Sequence, residues 1–327
     1  MPFRNTNILI TGGAGFIGSN LAIRLVNKGA NVTLLDSFIP EYGGNLYNIS
    51  TISDKIKLNI SDIRDSHAMR YLVQGQDYLF NLAGQTSHMD SMTNPFTDME
   101  INTRAQLSIL EACRHYNPAI RIVFAGTRQV YGHPLYLPVD EKHPVNPVDI
   151  NGINKHAGES YHLLYNKVYG IRSTILRLTN TYGPRMRIKD ERQTFVGIWI
   201  RCLLENKPFE VWGGEQLRDF TYVEDCISAM LLAAQQDSSI GKIYNLGGEK
   251  NISLLKLAEI LIKANDERGA FTIRKFPESR KKIDIGDYYS DDSLIRQELG
   301  WNPLTSLEEG LKLTLTYFRK YLCNYIQ

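Results

Sequence analysis

Short apolar runs recur through the first half of the chain, each closed by a turn and followed by a longer polar and apolar mixture. Residues 7–11, 31–35, 55–59, 78–81, 121–125 and 172–178 are mostly β-branched or apolar, which predicts strands, with helix-like segments between several of them. That rhythm predicts an α/β fold built on a doubly wound parallel sheet. After Asn180 the rhythm is lost. A Gly183-Pro184 turn, a basic stretch at 185–192 and a helix-like run to about Glu205 precede short strands and later helices. The pattern predicts a first lobe over residues 1–178 and a smaller α/β lobe over 179–327. Residues 221–235 look helical and 242–246 strand-like, so the stretch from about 221 to 246 is expected to return to the first lobe.

Composition narrows the function classes. With 327 residues, 43% of them hydrophobic, the chain can bury a large core. Lys plus Arg number 37 against 35 for Asp plus Glu, and a net charge of +2 gives no field to hold nucleic acid or a lipid surface. An anionic ligand must then be held by local cations. Cys113, Cys202, Cys226 and Cys323 form no Cys-x-x-Cys pair, which argues against a zinc knuckle or disulfide framework and for a reducing compartment. No metal site is expected. The chain reads as cytoplasmic, with an early apolar run at Ile8-Leu9-Ile10, no cleavable signal and no apolar stretch approaching the roughly 20 residues of a membrane span.

The strongest local signal is Thr11-Gly12-Gly13-Ala14-Gly15-Phe16-Ile17-Gly18, directly after the first strand. Glycines at 12, 15 and 18 let the backbone approach a pyrophosphate, and the next helix turns its N-terminal N–H groups toward the phosphate charge. Asp36, with Ser37 after it, closes the second strand about 20 residues on, where a carboxylate accepts from an adenosine ribose and repels a 2′-phosphate. The pair favours NAD over NADP.

Further segments resemble the extended short-chain dehydrogenase/reductase family, the nucleotide-sugar epimerases and dehydratases, which share the Rossmann fold. Asp62-Ile63 resembles the pair placed beside the adenine, and Asn81-Leu82-Ala83-Gly84-Gln85 resembles the fourth-strand turn along the cofactor. Asn102 resembles the helix asparagine near that turn. Ala125-Gly126-Thr127-Arg128-Gln129-Val130-Tyr131-Gly132 resembles the strand end that carries the catalytic hydroxyl, here Thr127. The segments 177–184, 218–225 and 299–303 also match, so the resemblance runs along essentially the whole chain. It implies NAD as cofactor and a nucleotide-diphosphate sugar as substrate. Asn180, Arg218, Arg280 and Asp284 then stand where the family grips the diphosphate and nucleoside ribose. Arg185, Arg187, Lys189 and Arg192 form an added basic loop, read as a solvated face or a lid over the diphosphate. A homodimer formed through helices near 97–116 and 151–169 is the family default.

One position breaks the pattern. In the family a tyrosine four residues before the lysine removes a sugar hydroxyl proton while hydride moves to NAD, and the threonine steadies the oxygen. Here Lys155 is preceded at that distance by Asn151, and no lysine of the chain has a tyrosine four residues earlier. An amide cannot act as that base. His88 and Asp90, in the loop expected to border the sugar, are the candidate replacements; Tyr131 and Tyr182 are weaker ones. The family's 4,6-dehydratases carry Asp-Glu after the threonine, where this chain has Arg128-Gln129. Epimerisation through a transient keto sugar does not need that pair and is the leading expectation. The alternatives are a dehydratase with atypical acid and base residues, and a protein that holds NAD and a sugar nucleotide without turnover.

Overall fold

The computed structural model describes residues 3–190, 192 and 194–326, and of 279 and 280 the backbone alone. The expectation for the Arg280 side chain therefore lies outside the described residues. Seven strands form one sheet: β1 (Asn7–Thr11), β2 (Asn31–Asp36), β3 (Ile56–Ile60), β4 (Tyr78–Asn81), β5 (Arg121–Thr127), β6 (Arg172–Leu178) and β7 (Ile243–Leu246). Their spatial order is β7-β6-β5-β4-β1-β2-β3, and every neighbouring pair is parallel. The chain winds outward from β1 to β3 and then crosses to β4 on the other side. The crevice at the carboxyl ends of β1 and β4 is thus the topological switch point, where such sheets bind ligands.

The central strands are near-continuous apolar runs because helices cover both faces. Alternate side chains separate into two cores: Ile8 and Ile10 pack with Leu21 and Leu25 of helix α1 (Phe16–Asn27), while Leu9 packs on the opposite face with Ile109 and Leu110 of helix α2 (Ala105–Tyr116). The edge strand β3 starts one residue later than its sequence pattern predicts and leaves Leu58 and Ile60 exposed, flanked by Lys55 and Lys57, which discourages pairing with another sheet edge.

Helix α3 (Ile150–Tyr169) lies against α2 and opens on Asp149, whose carboxylate accepts the Gly152 N–H at 2.6 Å. Gly170, at φ 72°, closes it in the left-handed conformation. After Asn180 come helix α4 (Phe195–Leu204) and the parallel strands Phe209–Trp212 and Phe271–Arg274. The helix expected from Thr221 starts at Val223 as α5 (Val223–Gln235). Phe220–Tyr222 instead pairs in parallel with Asn180–Tyr182, as fits three buried residues of strong β preference. Among the described residues no helix is long and apolar enough to cross a membrane.

Candidate active site

A cleft of about 700 Å³ runs from the glycine turn after β1, past the end of β5, to Arg218 and Asp284. At its first end the glycines are required sterically. Gly12 has φ +67°, and a Cβ there would stand 3.0 Å from the Ala83 backbone; one on Gly18 would run into the Gly12 carbonyl oxygen. Gly15 caps α1 without a side chain, so the helix's leading N–H groups face the cleft beside Phe16 and Ile17. Asp36, at the end of β2, accepts from Ala14 N and Phe38 N, each at 3.0 Å. Burial pushes its carboxyl above the usual range, and those backbone donors partly pull it back. Ser37, Asp62 and Ile63 continue this wall. Burial would raise the Asp62 carboxyl, but its 2.7 Å bridge to Arg64 holds it below the usual range.

The turn after β4 is fixed by Thr11. Its hydroxyl donates to Asn81 Oδ1 at 2.9 Å and accepts the Leu82 and Ala83 N–H groups at 3.1 and 3.2 Å. Leu82 and Ala83 border the cleft, as expected. Gln85 and Asn102 do not. Both are buried behind its wall, Asn102 Nδ2 donating to the Gln85 carbonyl at 3.0 Å. Asp90 also stands off the cleft, its carboxylate 3.0 Å from Arg192 Nε, so that ion pair displaces it as a free base. Its helix is capped by Ser87, which accepts the Asp90 N–H.

At the centre Thr127 ends β5, its Oγ1 accepting the Gln129 N–H at 3.2 Å. Lys155 is buried, with Nζ 5.5 Å from the Phe124 ring centroid and close enough to Gly84 that a Cβ there would stand 2.6 Å away. Burial pushes its ammonium down to about 8, with the charge of Asp98 opposing. Asn151 borders the same space, yet its amide is committed: Nδ2 donates to the Gln85 carbonyl at 2.8 Å, to Gln85 Oε1 at 3.2 Å and to Asp98 Oδ2 at 3.0 Å. Asp98 is itself buried and also takes Asn154 Nδ2 at 2.7 Å.

His88 also borders the cleft. Its Nδ1 lies 2.8 Å from Asp149 Oδ2, close but off the line of a straight hydrogen bond. Tyr131 and Tyr182 are committed elsewhere. Their buried hydroxyls donate to Asn245 Oδ1 at 2.7 Å and to the Leu307 carbonyl at 3.3 Å, and burial pushes the Tyr131 phenol up to about 12.

At the far end of the cleft, Asn180 Nδ2 donates to the Asp219 carbonyl at 3.1 Å. Arg218 pairs with Asp284 at 3.1 Å and donates to the Gly286 carbonyl. Burial, and then the nearby Arg128 guanidinium, push Arg218 down to about 10. Arg128 lies 5.4 Å from the Tyr288 ring centroid with a buried, unbonded Nε. The basic loop is largely tied down rather than solvated. Arg185 donates to Asn20 Oδ1 and the Asn48 carbonyl, and Arg187 pairs with Asp190.

Residues 8–247 match the model of the NAD dependent epimerase/dehydratase family. The chain belongs to that family. It is 35% identical over 314 residues to a putative UDP-glucose 4-epimerase of Methanocaldococcus jannaschii, covering 95% of this chain and 98% of that one. It is 30% identical to the CDP-paratose 2-epimerase of Salmonella typhi, covering 93% and 97%. The crystal structure of UDP-glucose 4-epimerase with UDP-glucose from Thermotoga maritima superposes with a TM-score of 0.89 at 30% identity, over 97% of this chain and all of that one. The family's cofactor, NAD, fits the residues present: two glycines whose Cβ atoms would fill the turn, an open helix N-terminus and a buried carboxylate at the end of β2.

The sequence reading missed Asp149 as a site residue. The signal was an aspartate directly before a long helix pattern, where its N-cap role could be read but its contact with His88 could not. It also missed the aromatic wall of Phe195, Trp212 and Phe276.

Proposed function

We propose that the protein is an NAD-dependent nucleotide-sugar epimerase acting through a transient keto sugar. One observation carries this reading: Thr127, Lys155, the glycine turn and Arg218 border one continuous cleft, while Arg128 and Gln129 occupy the positions after the threonine. Bound NAD supplies the hydride acceptor and donor. Thr127 orients the reacting sugar oxygen, Lys155 holds the nicotinamide ribose, and Asn180, Arg218 and Asp284 grip the diphosphate and the nucleoside ribose. Arginine suits that task because its planar fork matches phosphate oxygens. The nucleotide lobe comprises residues 1–178 with the 221–246 return, and the remaining residues form the sugar-nucleotide lobe.

A second reading, a protein that binds both ligands without turnover, is favoured by the locked Asn151 amide. Incubation with UDP-, dTDP-, GDP- and CDP-sugars, followed by NMR of the sugar, separates the two. New stereochemistry at one carbon supports epimerisation. A 6-deoxy-4-keto product, or binding with no product, refutes it.

We read the assembly as a homodimer. The support is a run of exposed apolar side chains on adjacent helices: Phe96, Met99 and Tyr116 with Ile153, Val168 and Tyr169. Four free cysteines suit a cytoplasmic setting.

A further inference from the structure

We infer that His88, aligned by Asp149, is the general base that takes the sugar hydroxyl proton in place of the missing tyrosine. The inference rests on the epimerase reading and deepens it. Four residues form one chain across the cleft wall: Gln129 N–H donates to Thr127 Oγ1 at 3.2 Å, Gln129 Nε2 donates to Asp149 Oδ2 at 2.8 Å, and that oxygen lies 2.8 Å from His88 Nδ1. His88 is thereby tied to the residue that orients the reacting oxygen. Its side chain is 40% exposed although Nδ1 is buried, so the open edge of the ring is the one carrying Nε2, and the residue borders the cleft.

The carboxylate is held in place. Asp149 has no side-chain exposure, and its other oxygen accepts the Gly152 N–H at the start of α3. Burial alone would raise its carboxyl, yet the neighbouring His88 and then the Gly152 and Gln129 donors hold it below the usual range. A fixed anion at Nδ1 places the ring proton on Nδ1 and leaves the Nε2 lone pair free to accept. It also stabilises the imidazolium once a proton arrives. Gln129 matters to the same arrangement, because a carboxylate there would face Asp149 and repel it, whereas an amide donates to it.

The step balances. The sugar O–H proton passes to His88 Nε2, the hydride on the same carbon passes to the nicotinamide of NAD, and the C–O bond becomes a carbonyl. On return the hydride reaches the other face, and His88 gives the proton back to the oxygen. Other candidates are engaged. Asp90 is paired with Arg192, the Tyr131 and Tyr182 hydroxyls are buried in hydrogen bonds, and Asn151 cannot accept the proton.

Four measurements test the assignment. In nitrogen NMR of the protein without ligands, His88 should show the Nδ1–H tautomer, with loss of that preference in Asp149→Asn, a change that keeps a capping oxygen for α3. In single-turnover reduction of NAD by the sugar nucleotide, His88→Asn should be slower by about 10²- to 10⁴-fold. Its affinity for the sugar nucleotide, by calorimetry, should stay within about tenfold, since one neutral hydrogen bond to the sugar is lost while the grip on the nucleotide and diphosphate remains. His88→Ala should recover part of its rate with added imidazole. A dominant Nε2–H tautomer in the wild type, or a His88→Asn enzyme of nearly full rate, overturns the assignment and leaves the epimerase reading standing. A wild type that binds every sugar nucleotide without reducing NAD overturns both.

Discussion

Asn151→Ala tests whether the asparagine is an anchor of the site rather than a residue of the chemistry. The amide joins two buried acceptors, the Asp98 carboxylate at 3.0 Å and the Gln85 carbonyl at 2.8 Å, across the start of α3. A hydrogen bond to a charged group contributes about 1.5–3 kcal/mol and one to a neutral group about 0.5–1.5 kcal/mol. The Gln85 carbonyl keeps Asn102 Nδ2 as a donor and the Asp98 carboxylate keeps Asn154 Nδ2 on its other oxygen, so the truncation takes a donor from Asp98 Oδ2 and Gln85 Oε1 but leaves both groups partly satisfied. The expected loss is therefore about 2–4.5 kcal/mol, the sum of the two ranges. For 327 residues, an unfolding entropy of about 2.1 cal/mol/K per residue makes this roughly a 3–7 °C fall in Tm. Thermal scans at fixed NAD concentration measure it. Asn151→Asp should fall further, because a second carboxylate would then face Asp98. A Tm for Asn151→Ala indistinguishable from wild type would refute the anchoring role.

Further outcomes follow from the same geometry. Lys155 has its ammonium depressed to about 8 by burial, against 10.5 in the unfolded chain, so the folded state binds fewer protons between those values and stability gains as pH rises through that window. Lys155→Met should remove this gain and stabilise the protein at pH 7 by about 3 kcal/mol, read from urea denaturation at pH 7 and pH 10; equal stability of the two proteins at pH 7 would refute the burial cost. Asp36→Asn should reduce the preference for NAD over NADP at least tenfold, since a carboxylate close to a phosphate is repelled by a few kcal/mol at an effective dielectric of about 20; titration of each cofactor decides it, and an unchanged ratio would place the ribose elsewhere. Gly18→Ala should weaken NAD binding by about tenfold or more, because overpacking against backbone costs about 1–3 kcal/mol and here the new methyl meets the Gly12 carbonyl and the Gly13 Cα; normal affinity would mean that the turn lies away from the cofactor.

The sheet was legible in the sequence for a physical reason. Strands covered on both faces are rich in apolar and β-branched residues, so 78–81 is readable to the residue, as is 172–178 despite its buried Ser173, Thr174 and Arg177, while β3, an exposed edge, loses that constraint and shifts by one. The glycine turn was legible because sterics permit no side chain at Gly12 or Gly18. What the sequence could not say is on which side of a turn a side chain leaves. Gly84 borders the cleft and its neighbour Gln85 is buried behind it, and His88 borders it while Asp90, on the same short helix, faces Arg192. Nor could residue order show that the departures from the family pattern are neighbours in space. Gln129 donates to the carboxylate beside His88, and Asn151 follows that carboxylate by two residues, its amide turned toward Asp98. An amide at 129 permits a buried anion at 149. An amide at 151 occupies the tyrosine's position without offering a base, which leaves His88, backed by that anion, as the proton acceptor at the cleft.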